Sequence, residues 1–351
     1  MLEWLHPRLR PQREKEDAMN YPMLAAGFSV LATMATAETP NAEKPVLTVL
    51  TYDSFTPEWG PGPAIEAAFE ATCACDLQFV TAGDGAALLA RVQLEGTRSD
   101  ADVVVGLDTN LTAAAAATGL FAPHGQTGSF NLPLPWQDAT FVPFDWGWFA
   151  FVYDTTKLAT PPASFEELAA SDLKIVIQDP RSSTPGLGLL MWVKAAYGTE
   201  APGIWAALAD NIVTVTPGWS EAYGLFLEGE ADMVLSYTTS PAYHLIAESD
   251  ATKAAALFVE GHYLQIEVAG KLASTDQPAL ADQFLAFLTS DAAQTVLPTT
   301  NWMYPVKTPA AGLPEGFDTL IQPQKSWLLP DAEALALRQE ALDEWLAALA
   351  R

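Results

Sequence analysis

Basic residues are scarce in this sequence. Its 351 residues include 17 Lys and Arg against 43 Asp and Glu, which gives a formal net charge of −26 at pH 7. Nucleic acids and anionic membrane surfaces are bound by clustered positive charge, so this composition argues against both as partners. Hydrophobic residues make up 50% of the chain, which is enough to build a sizeable core despite the charge. The length favours two domains of about 150 residues each.

Cysteine and histidine are scarce as well. The two cysteines, Cys73 and Cys75, cannot form a structural zinc site, because such a site needs four ligands. In an oxidising compartment they either form a disulfide that closes a very small ring or remain free thiols. The four histidines are too scattered along the chain to predict a metal site: His6, His124, His244 and His262.

The apolar stretch nearest the N-terminus, residues 23–34, is too short to cross a bilayer. As a helix it would rise about 18 Å, whereas the hydrocarbon core of a membrane is about 30 Å thick. With basic residues upstream and the sequence Ala-Thr-Ala at 35–37, it fits a signal peptide cleaved before Glu38. The alternative is a leader that contains an apolar stretch by chance. Translation starts at either Met1 or Met19.

Along the mature chain, apolar runs of strand length alternate with segments of helical periodicity. In the first part, strands are predicted at 47–52, 77–80 and 103–107, and helices at 63–72, 85–95 and 111–118. After a proline-rich connector, strands are predicted at 141–153, 175–178, 212–215 and 233–237, and helices at 165–170, 188–196, 204–209 and 220–227. A strand at 262–268 and helices at 279–288, 292–297 and 332–350 follow. This alternation predicts parallel strands with helical crossovers.

Two long extended segments, residues 141–153 and 262–268, bracket the second α/β unit. A chain that leaves one lobe and returns through paired strands predicts a hinged protein with a cleft between two lobes. The predicted parts are an N-terminal extension with signal peptide at 1–37, a first lobe at 38–140 and 265–307, a second lobe at 141–264, and a C-terminal helical segment at 308–351 that packs on the lobes.

Aromatic and polar side chains follow the ends of the predicted strands. In open α/β sheets, ligands bind beyond the carboxyl ends of the strands. Each aromatic ring taken alone could be core packing, but their joint placement indicates a site for a flat cation, because a ring face attracts positive charge by about 0.5 to 2 kcal/mol. The candidate ligand-binding residues are Tyr52, Asp53, Trp59, Asp108, Ser183, Thr184, Trp219, Tyr237, Tyr243 and Trp302.

The segment QDPRSSTPGLGLL, residues 178–190, predicts a second kind of contact. It runs from a strand through Ser, Thr and Pro into a helix, which leaves backbone N–H groups free at the helix N-terminus. Such a terminus suits an anion such as phosphate. An ordinary capped helix is the alternative.

Several longer motifs resemble the thiamine-binding periplasmic proteins, the solute-binding components of thiamine ABC transporters. The resemblance covers residues 44–351 and is carried by TYDSF, WGPGP, VPFDWGWFAFVYD, QDPRSSTPGLGLL, GWSEAYGLFL, SYTTSPAYH, EGHYLQ and NWMYPV. It implies a type II periplasmic-binding-protein fold with two doubly wound α/β lobes. It also implies a periplasmic monomer that delivers thiamine, thiamine monophosphate or thiamine diphosphate to an inner-membrane permease, without cofactor, metal or catalytic residues.

The resemblance also implies roles for the candidate residues. Asp108 is expected to be the counter-charge or the acceptor for the ligand amine, and Ser183 is expected to take the ligand's hydroxyl or phosphate. Stacking faces are expected from Trp59, Trp219, Tyr237 and Trp302.

Two alternatives remain. A thiaminase-like enzyme would need a cysteine nucleophile in the cleft, but Cys73 and Cys75 are predicted at the opposite end of the strands. A binding protein for another small cation is the second alternative. Iron sites in related folds use adjacent tyrosines, which the sequence lacks. A polyamine would need more acidic groups than Asp53 and Asp108 provide.

Overall fold

The computed structural model describes residues 44–350. The predicted signal peptide and its cleavage site lie outside these residues. The strands are β1 (Val46–Thr51), β2 (Asp76–Thr81), β3 (Val103–Asp108), β4 (Phe121–Ala122), β5 (Phe141–Asp154), β6 (Ile175–Gln178), β7 (Ile212–Thr216), β8 (Met233–Tyr237), β9 (Lys253–Ala255), β10 (His262–Leu272), β11 (Tyr304–Pro305) and β12 (Ser326–Trp327). The α-helices are α1 (Gly62–Glu70), α2 (Gly85–Glu95), α3 (Thr112–Ala117), α4 (Phe165–Ala169), α5 (Thr184–Tyr197), α6 (Ala201–Leu208), α7 (Trp219–Glu228), α8 (Pro241–Ala247), α9 (Pro278–Leu288), α10 (Asp291–Thr300) and α11 (Asp331–Leu349).

The main strands follow one path in the order β2-β1-β3-β10-β5-β8-β6-β7. β1 pairs in parallel with β2 and β3, which form the first half of the sheet. β6 pairs in parallel with β7 and β8, which form the second half. Each parallel pair is joined by a helical crossover, as parallel strands require.

The long strands β5 and β10 connect the two halves. They pair antiparallel with each other, and β10 also pairs with β3. β5 is 14 residues long; its N-terminal part, through Trp148, pairs with β10, and its C-terminal part, from Phe149, pairs with β8. The carboxyl end of β3, at Asp108, therefore pairs with β10, and the carboxyl end of β8, at Tyr237, pairs with β5.

The central strands β3, β5, β8 and β10 are almost wholly buried, because helices cover both faces of the sheet there. Ile65 and Phe69 of α1 pack with Phe284 of α9 in the core beneath the first half. Trp192 of α5 is fully buried and donates a hydrogen bond of 2.9 Å to the Gly261 carbonyl. Full burial of one such side chain stabilises the fold by about 1.5 to 3 kcal/mol.

The C-terminal helix α11 packs against both halves of the molecule. It contacts α3 after the first half and α5 and α6 in the second. Thr112 donates a hydrogen bond of 3.0 Å to Asp331 Oδ2. Lys194 Nζ lies 2.7 Å from Glu340 Oε1 and 2.6 Å from Glu344 Oε1. Polar contacts therefore tie α11 to both halves.

Some elements differ from the sequence expectation in length. α5 begins at Thr184 rather than at 188, because Ser183 and Pro185 are already suited to a helix start. β10 extends to Leu272, since it continues to pair with β3 through Lys271 and with β4 at Lys271 and Leu272. Cys73 and Cys75 are joined by a disulfide in the turn between α1 and β2. Within residues 44–350, no helix has the length and apolar character that a membrane crossing requires.

Candidate ligand-binding cleft

A cavity of about 630 Å³ opens between the two halves of the sheet. This volume is within the range typical of small-molecule sites. Seven of the ten candidate residues line it: Tyr52, Trp59, Thr184, Trp219, Tyr237, Tyr243 and Trp302. Further lining comes from residues that the sequence analysis did not select, among them Asp84, Tyr223, Glu267, Asn301 and Met303.

One wall of the cavity is built by the start of α7. Trp219 stacks on Tyr223, one helical turn later, with ring centroids 4.9 Å apart and an interplanar angle of 24°. The Trp219 Nε1 donates a hydrogen bond of 2.8 Å to Ser236 Oγ. The indole is therefore held by a neighbouring ring and by a hydrogen bond.

The opposite wall follows the end of α10. Trp302 has φ of +57°, in the left-handed region, and its ring meets that of Tyr243 edge-on at 5.4 Å. Its backbone N–H donates to the Leu297 carbonyl, which ends the helix. A bulky residue in this conformation costs on the order of 1 to 3 kcal/mol, and such residues cluster at functional sites.

Tyr52 is positioned by a glycine. Gly106 in β3 has φ of +106°, and a Cβ there would lie 2.1 Å from Tyr52 Cδ1. Only glycine allows this backbone conformation together with the close approach of the ring. The Tyr52 hydroxyl then reaches 3.2 Å from both Glu267 Oε2 and Asn301 Oδ1.

The floor of the cavity is acidic, since Glu267 belongs to the lining and the fully buried Asp145 lies next to it on β5. Glu267 of β10 is 6% exposed and is the register partner of Asp145 on β5. Asn301 Nδ2 donates to Asp145 Oδ2 at 2.6 Å. Burial raises the pKa of Glu267, and the neighbouring Asp145 raises it further. Burial also raises the pKa of Asp145 and of the Tyr52 hydroxyl.

Asp84 is a second carboxyl at the cavity and is half-buried. It precedes α2, and its Oδ2 accepts a hydrogen bond of 2.7 Å from Ser183 Oγ, which precedes α5. Its Oδ1 accepts from the Gly85 N–H at 2.8 Å. Burial raises the pKa of Asp84, while the hydrogen bond from Ser183 opposes that shift.

The structure places three candidate residues outside the lining. Asp53 is exposed, and its Oδ1 accepts from the Gly83 N–H at 3.1 Å. Asp108 is fully buried, and its carboxyl accepts hydrogen bonds from the backbone and side chain of Asn110. Ser183 is also fully buried, with its hydroxyl directed to Asp84. The carboxyl that faces the cavity in place of Asp108 is Glu267, its register partner on β10.

A group that could ligate a metal lies beside the cavity, made of His244, Glu248 and Asp250. The two ring nitrogens of His244 already contact the Tyr223 hydroxyl at 2.9 Å and Glu248 Oε2 at 2.7 Å. Lys253 pairs with Asp250 at 3.2 Å. These contacts give all three side chains, His244, Glu248 and Asp250, a polar partner without a bound ion.

The cavity combines aromatic walls with an acidic floor. No lysine or arginine belongs to its lining among the described residues. Ring faces and carboxylates both attract positive charge, and a buried location strengthens that attraction. The geometry therefore suits a small organic cation with a flat ring.

Comparison with known proteins gives the family. Residues 58–295 match the family of bacterial extracellular solute-binding proteins. A thiamine-binding periplasmic protein of Escherichia coli strain K12 is 54% identical over 315 residues, which cover 89% of this chain and 96% of that protein. One from Brucella melitensis is 50% identical over 328 residues, which cover 92% and 98%.

Solved structures agree with these relatives. One described as a periplasmic thiamin binding protein has a TM-score of 0.86 at 54% identity and covers 88% of this chain and 97% of that one. Iron-bound HitA from Pseudomonas aeruginosa has a TM-score of 0.66 at 20% identity, covers 85% and 99%, and shares the fold alone.

The fold and the family match define this chain as a bacterial solute-binding protein. Within that class it belongs to the family of thiamine-binding periplasmic proteins, and its location is periplasmic. The predicted type II periplasmic-binding-protein fold is confirmed. The relatives also confirm that the chain is a binding protein and not an enzyme.

Proposed function

We propose that this protein binds thiamine in the cavity between the two halves of the sheet and delivers it to an inner-membrane ABC permease. The observation that carries the proposal is the pairing of aromatic walls with a buried acidic floor that has no basic residue in the lining among the described residues. Thiamine has a fixed positive charge on its thiazolium ring and a second flat ring, the aminopyrimidine. Both features match the chemistry of the cavity.

The names of the relatives support the same ligand. Proteins that are 54% and 50% identical over most of their length are described as thiamine-binding. The side chains proposed to contact the rings of thiamine are Tyr52, Trp59, Trp219, Tyr237, Tyr243 and Trp302. In this proposal Glu267 takes the counter-charge role that the sequence analysis gave to Asp108.

Thiamine monophosphate and diphosphate are proposed as further ligands, with the phosphate near the N-terminus of α5. Thr184 and Pro185 line the cavity there. The helix N-terminus favours an anion, but the half-buried carboxyl of Asp84 lies in the same region and opposes one. We therefore expect thiamine to bind more tightly than its diphosphate.

The proposal includes export and lobe movement. The chain is synthesised with a signal peptide cleaved before Glu38 and acts as a monomer. Its two lobes, 38–140 with 265–307 and 141–264, close on the ligand by bending where β5 and β10 cross between them, and the segment 308–351 packs on both. The closed form is the one that the permease recognises.

Calorimetric titration of the mature chain, residues 38–351, tests the proposal. Thiamine should bind with one site per chain and a Kd below about 1 µM, which corresponds to about 8 kcal/mol. Thiamine diphosphate and spermidine serve as competitors of different charge. Absence of thiamine binding, or tighter binding of spermidine, would contradict the proposal.

A further inference from the structure

Two acidic residues lie next to each other on neighbouring strands: Glu267, which lines the cavity, and Asp145, which is fully buried outside the lining. Glu267 and Asp145 are direct register partners in the antiparallel pair of β10 and β5. Like charges at such positions destabilise a sheet. Both residues lie in strands that are otherwise almost wholly buried. Packing alone does not explain this arrangement.

The polar neighbours of the pair leave one acceptor without a donor. Asn301 Nδ2 lies 2.6 Å from Asp145 Oδ2 and 3.4 Å from Glu267 Oε2. The Tyr52 hydroxyl lies 3.2 Å from Glu267 Oε2. Asp145 Oδ1 is buried and has no N–H or O–H donor among residues 44–350. The carboxyl next to it across the strand pair is that of Glu267, so a proton held between the two carboxyls would give Asp145 Oδ1 its missing donor.

A hydrogen bond between two carboxyls requires a proton on one of them. The titratable groups around Glu267 are acidic. Its register partners are Asp145 on β5 and Asp108 on β3, Asp84 lies close enough to raise its pKa, and the hydroxyls near it are those of Tyr52 and Tyr237. Burial and these neighbours favour the neutral form of the pair in an empty cavity. Burial raises the pKa of Asp145 to about 7.

We propose that the Glu267–Asp145 pair exchanges a proton for the positive charge of the ligand, which makes Glu267 the residue that selects a cation. This inference rests on the proposed function. In the empty cavity at mildly acidic pH the pair is fully protonated and neutral. When the thiazolium cation enters, Glu267 releases one proton to the solvent, and the pair retains the shared proton with a net charge of −1.

The sign of the pH dependence follows from this exchange. Below the pKa of the empty pair, binding must displace a proton, so affinity rises by about tenfold per pH unit. Above that pKa the pair is already ionised, so affinity becomes independent of pH. A neutral ligand does not favour ionisation and should displace no proton.

Calorimetry in two buffers of different ionisation enthalpy measures the number of protons released. At about pH 6, thiamine should release close to one proton, and at about pH 8 close to none. The comparison ligand is a thiamine analogue in which an uncharged ring replaces the thiazolium. It carries the same aminopyrimidine, so proton exchange by that ring would appear with both ligands. The analogue should release less than about 0.2 proton.

Three variants separate the roles of the residues. Glu267→Gln should abolish proton release and weaken thiamine binding at least tenfold, with less than threefold loss for the neutral analogue. Asp145→Asn should keep the release but move its midpoint to higher pH, because the Glu267 carboxylate loses the proton that Asp145 shares with it. Glu315→Gln removes an exposed carboxyl and should change neither quantity.

Each remaining outcome has a defined meaning. Thiamine binding without proton release at either pH, or with proton uptake, would overturn the exchange and leave the proposed function intact. Release that persists in Glu267→Gln would assign the proton to another carboxyl such as Asp84 and would also overturn the inference. If thiamine fails to bind at all, the proposed function itself fails.

Discussion

The Ser183 hydroxyl donates a hydrogen bond of 2.7 Å to Asp84 Oδ2 across the two halves of the molecule. Asp84 precedes α2 in the first half, and Ser183 precedes α5 in the second. A nearby backbone hydrogen bond of 3.0 Å, from the Ala87 N–H to the Ser182 carbonyl, joins the same two segments. The carboxyl of Asp84, from the first half, is therefore hydrogen-bonded at the N-terminus of α5 in the second half.

The first prediction concerns this partner. Asp84→Asn keeps an acceptor for Ser183 but removes the negative charge that opposes phosphate. The affinity for thiamine diphosphate relative to thiamine should rise about fivefold, which corresponds to about 1 kcal/mol. Titration of both ligands into wild type and variant measures the ratio. Asp210→Asn, which changes an exposed residue, is the control for net charge. An unchanged ratio in Asp84→Asn would place the phosphate away from α5.

The second prediction concerns the aromatic walls. Trp219→Ala or Trp302→Ala should each weaken thiamine binding more than tenfold, because each removes a ring face worth about 1 to 3 kcal/mol next to a desolvated cation. The control is Trp205→Phe, since Trp205 is 1% exposed in α6 and packs in the core. Equal losses of affinity in all three variants would show that the tryptophans act through stability alone.

The third prediction concerns Gly106 beneath Tyr52. Gly106→Ala should lower the free energy of unfolding by about 1 to 3 kcal/mol, because alanine is strained at this positive φ and its Cβ would displace the Tyr52 ring. The matched control is Gly203→Ala in α6, where a Cβ would meet no atom within 4 Å. That variant should unfold at the same or a higher temperature than wild type. Equal melting temperatures for the two variants would contradict the role given to Gly106.

The fourth prediction concerns the attachment of α11. Lys194 is buried, with 5% of its side chain exposed, and pairs with Glu344, which is 14% exposed. Lys194→Ala should lower the free energy of unfolding in urea by about 3 kcal/mol, because it leaves Glu344 unpaired in a poorly solvated position. Glu340→Gln, at the exposed partner, should have a much smaller effect. Similar effects of both variants would mean that the buried pair contributes no more than an exposed one.

Most of the secondary structure was predictable, because the local periodicity of apolar residues distinguishes strands from helices. Strand runs and helix periods at α2, β6 and β8 match the predicted bounds. The connection of the two halves through β5 and β10 was predicted from the two long extended segments at 141–153 and 262–268. The exact start of α5 was less predictable, since the last strand residues and the first helical residues are separated only by a polar turn.

The acidic floor was not selected from the sequence because its members are far apart in the chain. Glu267 and Asp145 meet only through the register of β10 and β5. A signal was nevertheless present, since a carboxylate in the middle of an apolar strand is rarely buried without a partner. Asp108 ends a strand and fitted the expected pattern, but Asn110 binds its carboxyl inside the turn. Side-chain direction after a strand end is set by such local contacts, which strand-end position alone does not specify.

A crystal structure of the mature chain with bound thiamine would show whether the ligand occupies the cavity and which carboxyl faces its charged ring. Both rings of thiamine should lie in the cavity of about 630 Å³. An aromatic face of Trp219 or Trp302 should contact one ring, and Glu267 should be the nearest carboxyl to the thiazolium. Thiamine bound outside this cavity, or with its charged ring turned away from Glu267 toward solvent, would contradict the account.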